Sequence, residues 1–194
     1  LVKGWEISDE KTPSENITAC DWFEQRLHHS LAELEDHFTK LRISDALLTV
    51  YKLVWDDFCA WYLEIIKPEY GKPIDKATYD KTISFFEVWL KVLHPFMPFI
   101  TEELWHELRE RNQEDCIIKA AWPKKLDLKD HLLTEASVAF EIISEIRNIR
   151  NAKGISPKDP LMLQVKNDGK VLLQAFWPVV KKLSNLEKIS DASG

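Results

Sequence analysis

Glycine is scarce in this sequence, with five among 194 residues, which argues against the turn-rich punctuation of an all-β protein. The three cysteines, Cys20, Cys59 and Cys116, are too few and too scattered for a disulfide framework. None forms a Cys-x-x-Cys pair that would offer zinc or redox chemistry, so a reducing, cytoplasmic setting is expected. No uninterrupted apolar run is long enough to span a bilayer. The chain starts at Leu1 without methionine or a basic-then-apolar leader, and a soluble piece cut from a longer chain is expected. A Gly-rich phosphate loop, a Gly-x-Ser-x-Gly elbow and a lysine-and-serine signature for ATP chemistry are all lacking, which sets independent catalysis aside. Positive charge is in deficit as well. A formal net charge of −6 is unlike a freestanding nucleic-acid binder, whose basic balance releases counterions from phosphates.

What the chain does contain is helical pattern and eight tryptophans. Thr18 and Asp21 form a capping box ahead of Leu27, Leu31, Leu34, Phe38 and Leu41, whose steps of four and three predict a first long helix. Ser44 caps a second, carried by Leu47, Tyr51, Val54, Phe58, Trp61 and Ile65 and stopped by Pro68. After a loop from Pro68 to Asp75, a third places Tyr79, Ile83, Phe86, Leu90 and Leu93 on one face until Pro95. Short connections between three such helices make an antiparallel bundle. Pro95 and Pro98 then exclude regular helix, with Phe96, Met97 and Phe99 expected to turn inward. Thr101 caps a further helix whose first turn holds Glu102 and Glu103, where carboxylates meet the positive end of the dipole. Trp105 and Leu108 lie on its buried side, and Cys116 to Trp122 reads as an extended run.

From Asp127 to His131 the chain is polar, a linker before a helix from about Thr134 to Lys153 closed by Gly154. Leu161 to Val165 reads as a strand, Asn167 to Gly169 as a turn, Val171 to Lys182 as a helix interrupted by Pro178, and Leu186 to Ile189 as a second strand. The fold class is therefore mainly α, an antiparallel helical bundle over residues 1–125, with residues 126–194 supplying another helix and a small α/β appendage packed on it.

No metal site is expected. His28 and His29 are adjacent and diverge on a helix, while His106, Cys116 and His131 lack zinc-ligand spacing. Two basic features are candidate RNA contacts. One is Lys67, Lys72, Lys76 and Lys81 around the turn between the second and third helices, diluted by Glu69, Asp75 and Asp80. The other is Arg147, Arg150 and Lys153, placed by three-residue steps on one side of the later helix beside Asn148 and Asn151. A solvated helix face explains both equally simply. Trp22, at the start of the first helix, is the aromatic best placed for an unstacked base, though burial is the commoner fate of a tryptophan.

Four stretches, read together, give a resemblance. Leu93-His94-Pro95-Phe96-Met97-Pro98-Phe99-Ile100-Thr101-Glu102-Glu103-Leu104-Trp105 resembles the anticodon-binding helical region of class I aminoacyl-tRNA synthetases for aliphatic amino acids. Phe58-Cys59-Ala60-Trp61-Tyr62-Leu63-Glu64 with Lys67-Pro68 is similar to the valyl members. So are Ile146-Arg147-Asn148-Ile149-Arg150 with Gly154-Ile155-Ser156-Pro157, and Asp21-Trp22-Phe23 with Arg26-Leu27, where Phe23 stands in place of a commoner aliphatic residue. The resemblance runs from about Thr18 to Val165.

It implies a non-catalytic piece of a valine-activating ligase that grips the anticodon arm of its tRNA. It implies Trp22 as a base-stacking partner and Arg26 as a phosphate contact one turn later. No cofactor is implied for this piece; ATP and magnesium serve the full enzyme, whose catalytic domain and C-terminal coiled coil are the other partners, with a monomer expected. Two other readings stay open: the equivalent region of an isoleucyl or leucyl enzyme, and a helical protein-interaction scaffold without RNA binding, which fits the acidic balance.

Overall fold

Proline starts the first helix. Pro13 holds φ −61° and ψ 148°, and its carbonyl accepts the first helical N–H groups, from Asn16 and Ile17, at 3.1 Å. Helix α1 (Ser14–Thr39) therefore begins four residues before Thr18, with no side-chain cap. The expected capping box is absent, and Thr18 instead donates its hydroxyl to the carbonyls of Ser14 and Ala175. The computed structural model describes residues 5–125, 131–166 and 173–191.

Helix α1 ends in a tight reversal in which Leu41 takes φ 56° and the Arg42 N–H reaches back to the His37 carbonyl at 2.8 Å. Leu41 is consequently exposed rather than part of the buried stripe. Helix α2 (Ile43–Lys52) follows with Arg42 at its N-cap position, so Ser44 lies inside the first turn and caps nothing. The helix then widens into a π-helical segment, Leu53–Tyr62, before returning to α3 (Leu63–Ile66) ahead of Pro68.

The stripe expected for this helix holds at Phe58 and Ile65 and fails at Leu47 and Tyr51, which precede the widening. Ala46, Val50 and Leu53 are buried in steps of four and three, but the next buried residue is Phe58, five positions on, then Tyr62 and Ile65. A π-turn holds more residues than an α-turn, which moves the inner face by about one position. Leu47 and Tyr51 are left on the outside.

Ile74 and Asp75 form β2, paired in parallel with β1 (Ile7–Ser8). Asp75 also caps α4 (Lys76–Leu93), accepting the Thr78 N–H at 2.9 Å. Pro98 occupies the first turn of α5 (Pro98–Leu108), where a missing N–H costs nothing and φ is preset. Thr101 is therefore not a cap: its hydroxyl bonds the Met97 carbonyl and meets His94 Nδ1 at 2.7 Å. Of the three residues expected to turn inward, Phe96 packs on Phe38, whereas Met97, at the N-cap position of α5, and Phe99, in its first turn, are exposed. Glu102, a turn further in than expected, accepts the Ile117 N–H at 3.1 Å and so anchors a 3-10 turn, Ile117–Lys119, where an extended run was expected.

Helix α6 (His131–Lys153) closes at Gly154, φ 65°, with the Ile155 N–H bonded to the Arg150 carbonyl at 2.9 Å. Beyond it β3 (Leu161–Val165), α7 (Trp177–Leu183) and β4 (Leu186–Asp191) form a parallel pair crossed by one helix. Of the linker expected from Asp127 to His131, residues 127–130 lie outside the described residues, as does the turn at 167–169, while His131 already begins α6.

One apolar cluster joins both halves of the chain. Phe23, fully buried, has Phe58, Tyr62 and Phe85 within 5.2 Å between ring centroids. Ala139, Ile143, Phe176, Val179 and Val180 complete the same cluster from α6 and α7. Burial pushes the Tyr62 hydroxyl well above its usual pKa, and that hydroxyl meets Thr82 at 2.7 Å.

Candidate nucleic-acid interface

The seven residues singled out from sequence fall into three groups. Trp22 and Arg150 are built into the core. Trp22 is 2% exposed, with Phe140 edge-on at 5.0 Å and Phe23 at 6.0 Å, which leaves no ring face for a base. Arg150 is 5% exposed and donates to four backbone carbonyls: Ser156 at 2.7 Å, Asp159 and Ser184 at 2.9 Å, and Asn185 at 3.4 Å. It fastens the appendage to α6, and neither residue is free to meet RNA.

Arg26, Lys81 and Arg147 are held in ion pairs. Arg26 Nε lies 2.7 Å from Asp57 Oδ2. Burial raises the Asp57 pKa, and the guanidinium beside it works in the opposite direction. Lys81 Nζ lies 2.6 Å from Glu24 and 5.4 Å from the centre of the Phe85 ring. Arg147 lies 2.7 Å from Glu64 and 5.9 Å from the Trp61 ring, whose other contact is a parallel stack on Phe140 at 3.9 Å. An ion pair at a wet surface is worth about 0–1 kcal/mol, little enough for a phosphate to displace a carboxylate. Arg147 and Lys81 are exposed enough to exchange in this way; Arg26 and Asp57 are less so.

Lys67 and Lys72 form the third group. Both are exposed and neither has a carboxylate partner among the described residues. They flank Tyr70, which is fully exposed, in a turn made possible by Gly71 at φ 75°. Lys76, by contrast, is tied to Asp80 at 2.8 Å. Lys67 and Arg147 belong to the same end of the molecule, since Arg147 pairs with Glu64 one turn before Lys67.

Sequence reasoning placed Tyr51 on the buried stripe and passed over Trp55, and both are exposed. Tyr51 and Trp55 are 56% and 61% exposed, with ring centroids 6.4 Å apart and planes 14° from parallel. The signal that could have found them is a second apolar stripe, Ile43, Leu47, Tyr51 and Trp55, in steps of four. Among the described residues no group of three or more His, Cys, Asp or Glu could hold a metal ion, and no helix is long and apolar enough to cross a membrane.

Comparison with known proteins bears on this arrangement directly. The family model described as the anticodon-binding domain of tRNA ligase matches residues 20–167. A Valine--tRNA ligase of Christiangramia forsetii is 43% identical over 100% of this chain and 22% of its own length. A Valine--tRNA ligase of Phocaeicola vulgatus is 47% identical over 97% of this chain and 21% of its own. A more distant one, from Fusobacterium nucleatum, is 32% identical over 97% of this chain. The chain thus spans about a fifth of the length of the curated relatives it matches.

Proposed function

Since the chain belongs to the family of anticodon-binding domains of tRNA ligases, we propose that it binds the anticodon arm of valine tRNA within a longer valine–tRNA ligase. The observation that carries this is identity of 42–47% to Valine--tRNA ligases along nearly the whole chain. In that polypeptide the domain selects the tRNA, and activation of valine with ATP and magnesium is the work of other parts. Monomeric assembly and a cytoplasmic setting belong to the same reading.

The physical support is local rather than global. A net charge of −6 does not bar RNA, because association needs one basic face and the longer ligase adds further contacts. Lys67 and Lys72 meet phosphate without first giving up a partner, and Lys81 and Arg147 exchange a surface carboxylate for one. Arg26 contributes less, because its departure leaves Asp57 half-buried without its partner. Fixing these cations on a bundle with an aromatic core keeps their spacing constant, and spacing matches them to a stem of fixed geometry.

Binding of the ligase polypeptide to valine tRNA transcripts, measured over a range of salt concentrations, tests the reading. A log–log slope that flattens by about one for each of Lys67→Gln and Lys72→Gln fits phosphate contacts there. An unchanged slope removes both from the interface.

A further inference from the structure

The outward face of α2 and the π-helical segment carries an apolar stripe that the bundle does not use. Ile43, Leu47, Tyr51 and Trp55 are all exposed, and the stripe ends in the two near-parallel rings. The stripe lies on the side of the helix away from the buried residues Ala46, Val50 and Leu53, and the π-segment, by stepping five residues from Leu53 to Phe58, keeps Phe58 and Tyr62 turned into the core. Winding of this kind is rare and recurs at functional sites.

Beside the stripe runs a groove of about 570 Å³ between α1 and α2, lined by Arg26, Glu33, Asp36, Asp45 and Lys52 among others. The two helices are antiparallel about the reversal at Leu41. Asp36 and Asp45 therefore gather at the hairpin end, while Arg26 and Lys52 lie at the other. The acids there are engaged: Asp36 by Lys40 and Arg42, Asp45 by Arg42 at 4.0 Å, and Glu33 faces His29 at 3.4 Å. Lys52 is exposed and has no carboxylate partner among the described residues.

We propose that the Tyr51–Trp55 pair receives an unpaired base of the bound RNA, with Lys52 against the phosphate next to it. The proposal rests on the anticodon-arm reading and adds the residues that hold a loop base. Unpaired bases have two π-faces, and aromatic side chains stack on them without regard to base identity. Two parallel exposed rings, with a free cation one helical turn away, match that chemistry. Lys52 lies three residues before Trp55, so the two are neighbours on the helix surface one turn apart.

Three variants of the full ligase polypeptide, Trp55→Leu, Trp55→Phe and Tyr51→Leu, test this by aminoacylation kinetics and thermal melting. Valine tRNA carrying 2-aminopurine at each anticodon-loop position in turn supplies the direct readout of stacking. Loss of one stacked base corresponds to roughly 5- to 150-fold weaker binding. The proposal expects Trp55→Leu to raise KM for tRNA by that factor with kcat little changed, because stacking is made equally before and in the transition state. Trp55→Phe stays within a few-fold of wild type, and 2-aminopurine at one loop position is quenched by wild type and Trp55→Phe but not by Trp55→Leu. If Trp55→Leu leaves KM and quenching unchanged while wild type discriminates anticodons, the proposal is wrong and the anticodon-arm reading survives. A lowered melting temperature with unchanged KM assigns the face to another part of the polypeptide, also against the proposal. If wild type itself is indifferent to the anticodon arm, the parent reading falls and takes this one with it.

Discussion

Arg150 of α6 donates to the backbone carbonyl of Ser184 at 2.9 Å, across 34 residues of chain, and the same guanidinium holds Asp159 and Ser156. A planar fork with five donors suits four carbonyls converging from two segments, and a lysine cannot copy it. Hydrogen bonds to a charged group contribute about 1.5–3 kcal/mol each when broken one-sidedly. Arg150→Met is expected to cost about 3 kcal/mol or more, with Arg150→Lys recovering only part. Chemical denaturation measures the loss, and limited proteolysis should cut first between Lys153 and β4. A stable Arg150→Met protein with weakened tRNA binding would instead return this residue to the interface.

Trp22 belongs to the same class of misplaced contact. Its ring is enclosed by Phe140 and Phe23, so Trp22→Ala removes a large buried side chain and is expected to cost about 3–5 kcal/mol. Trp22→Phe should keep tRNA affinity within a few-fold while lowering the melting temperature. Denaturation and tRNA titration on the same samples separate the two effects.

Lys67 and Lys72 make the opposite prediction. Both are exposed, and changing both to Gln should move stability by less than about 0.5 kcal/mol. The salt slope of tRNA binding should flatten by about two. Charge alone drives this term, so Lys67→Arg with Lys72→Arg should restore it.

The Asp75 carboxylate supplies a pH dependence. Burial works to raise its pKa, but donors from Thr78, Thr12 and Asn16 outweigh it and hold the carboxyl below its usual range. A depressed folded-state pKa gives stability that is present above the ordinary carboxylate range and lost as pH falls through the lower folded value. Wild type should therefore exceed Asp75→Asn in stability at pH 7, with the gap closing below about pH 4. Urea denaturation at pH 7, 5 and 3 follows it; a gap that widens in acid would reverse the assignment.

Helix stops were legible because Pro68, Pro95 and Gly154 act through backbone geometry that sequence states outright. Starts were less so. Thr18, Ser44 and Thr101 all have the chemistry of caps, yet Pro13, the Leu41 reversal and Pro98 had already begun those helices. Beyond Leu53 the inner face was legible at Phe58 and Ile65, but before it Leu47 and Tyr51 were read as inward because apolar side chains occupy both sides of α2, and Ala46 and Val50 take the buried one. Long-range pairing was hidden for a different reason. Arg26, Lys81 and Arg147 meet carboxylates 31, 57 and 83 residues away, and Arg150 meets carbonyls, which every residue has. The motifs around Trp61 and Pro98 placed the chain in its family while describing its packing, because most of their residues build the bundle.

The most direct test of the central claim is binding of the full polypeptide to valine tRNA transcripts with native or altered anticodon bases, at two salt concentrations. The account predicts affinity that falls with salt and falls further when an anticodon base is changed, each such change costing a constant factor at both salts. Affinity that tracks salt alone, indifferent to the anticodon, would contradict it.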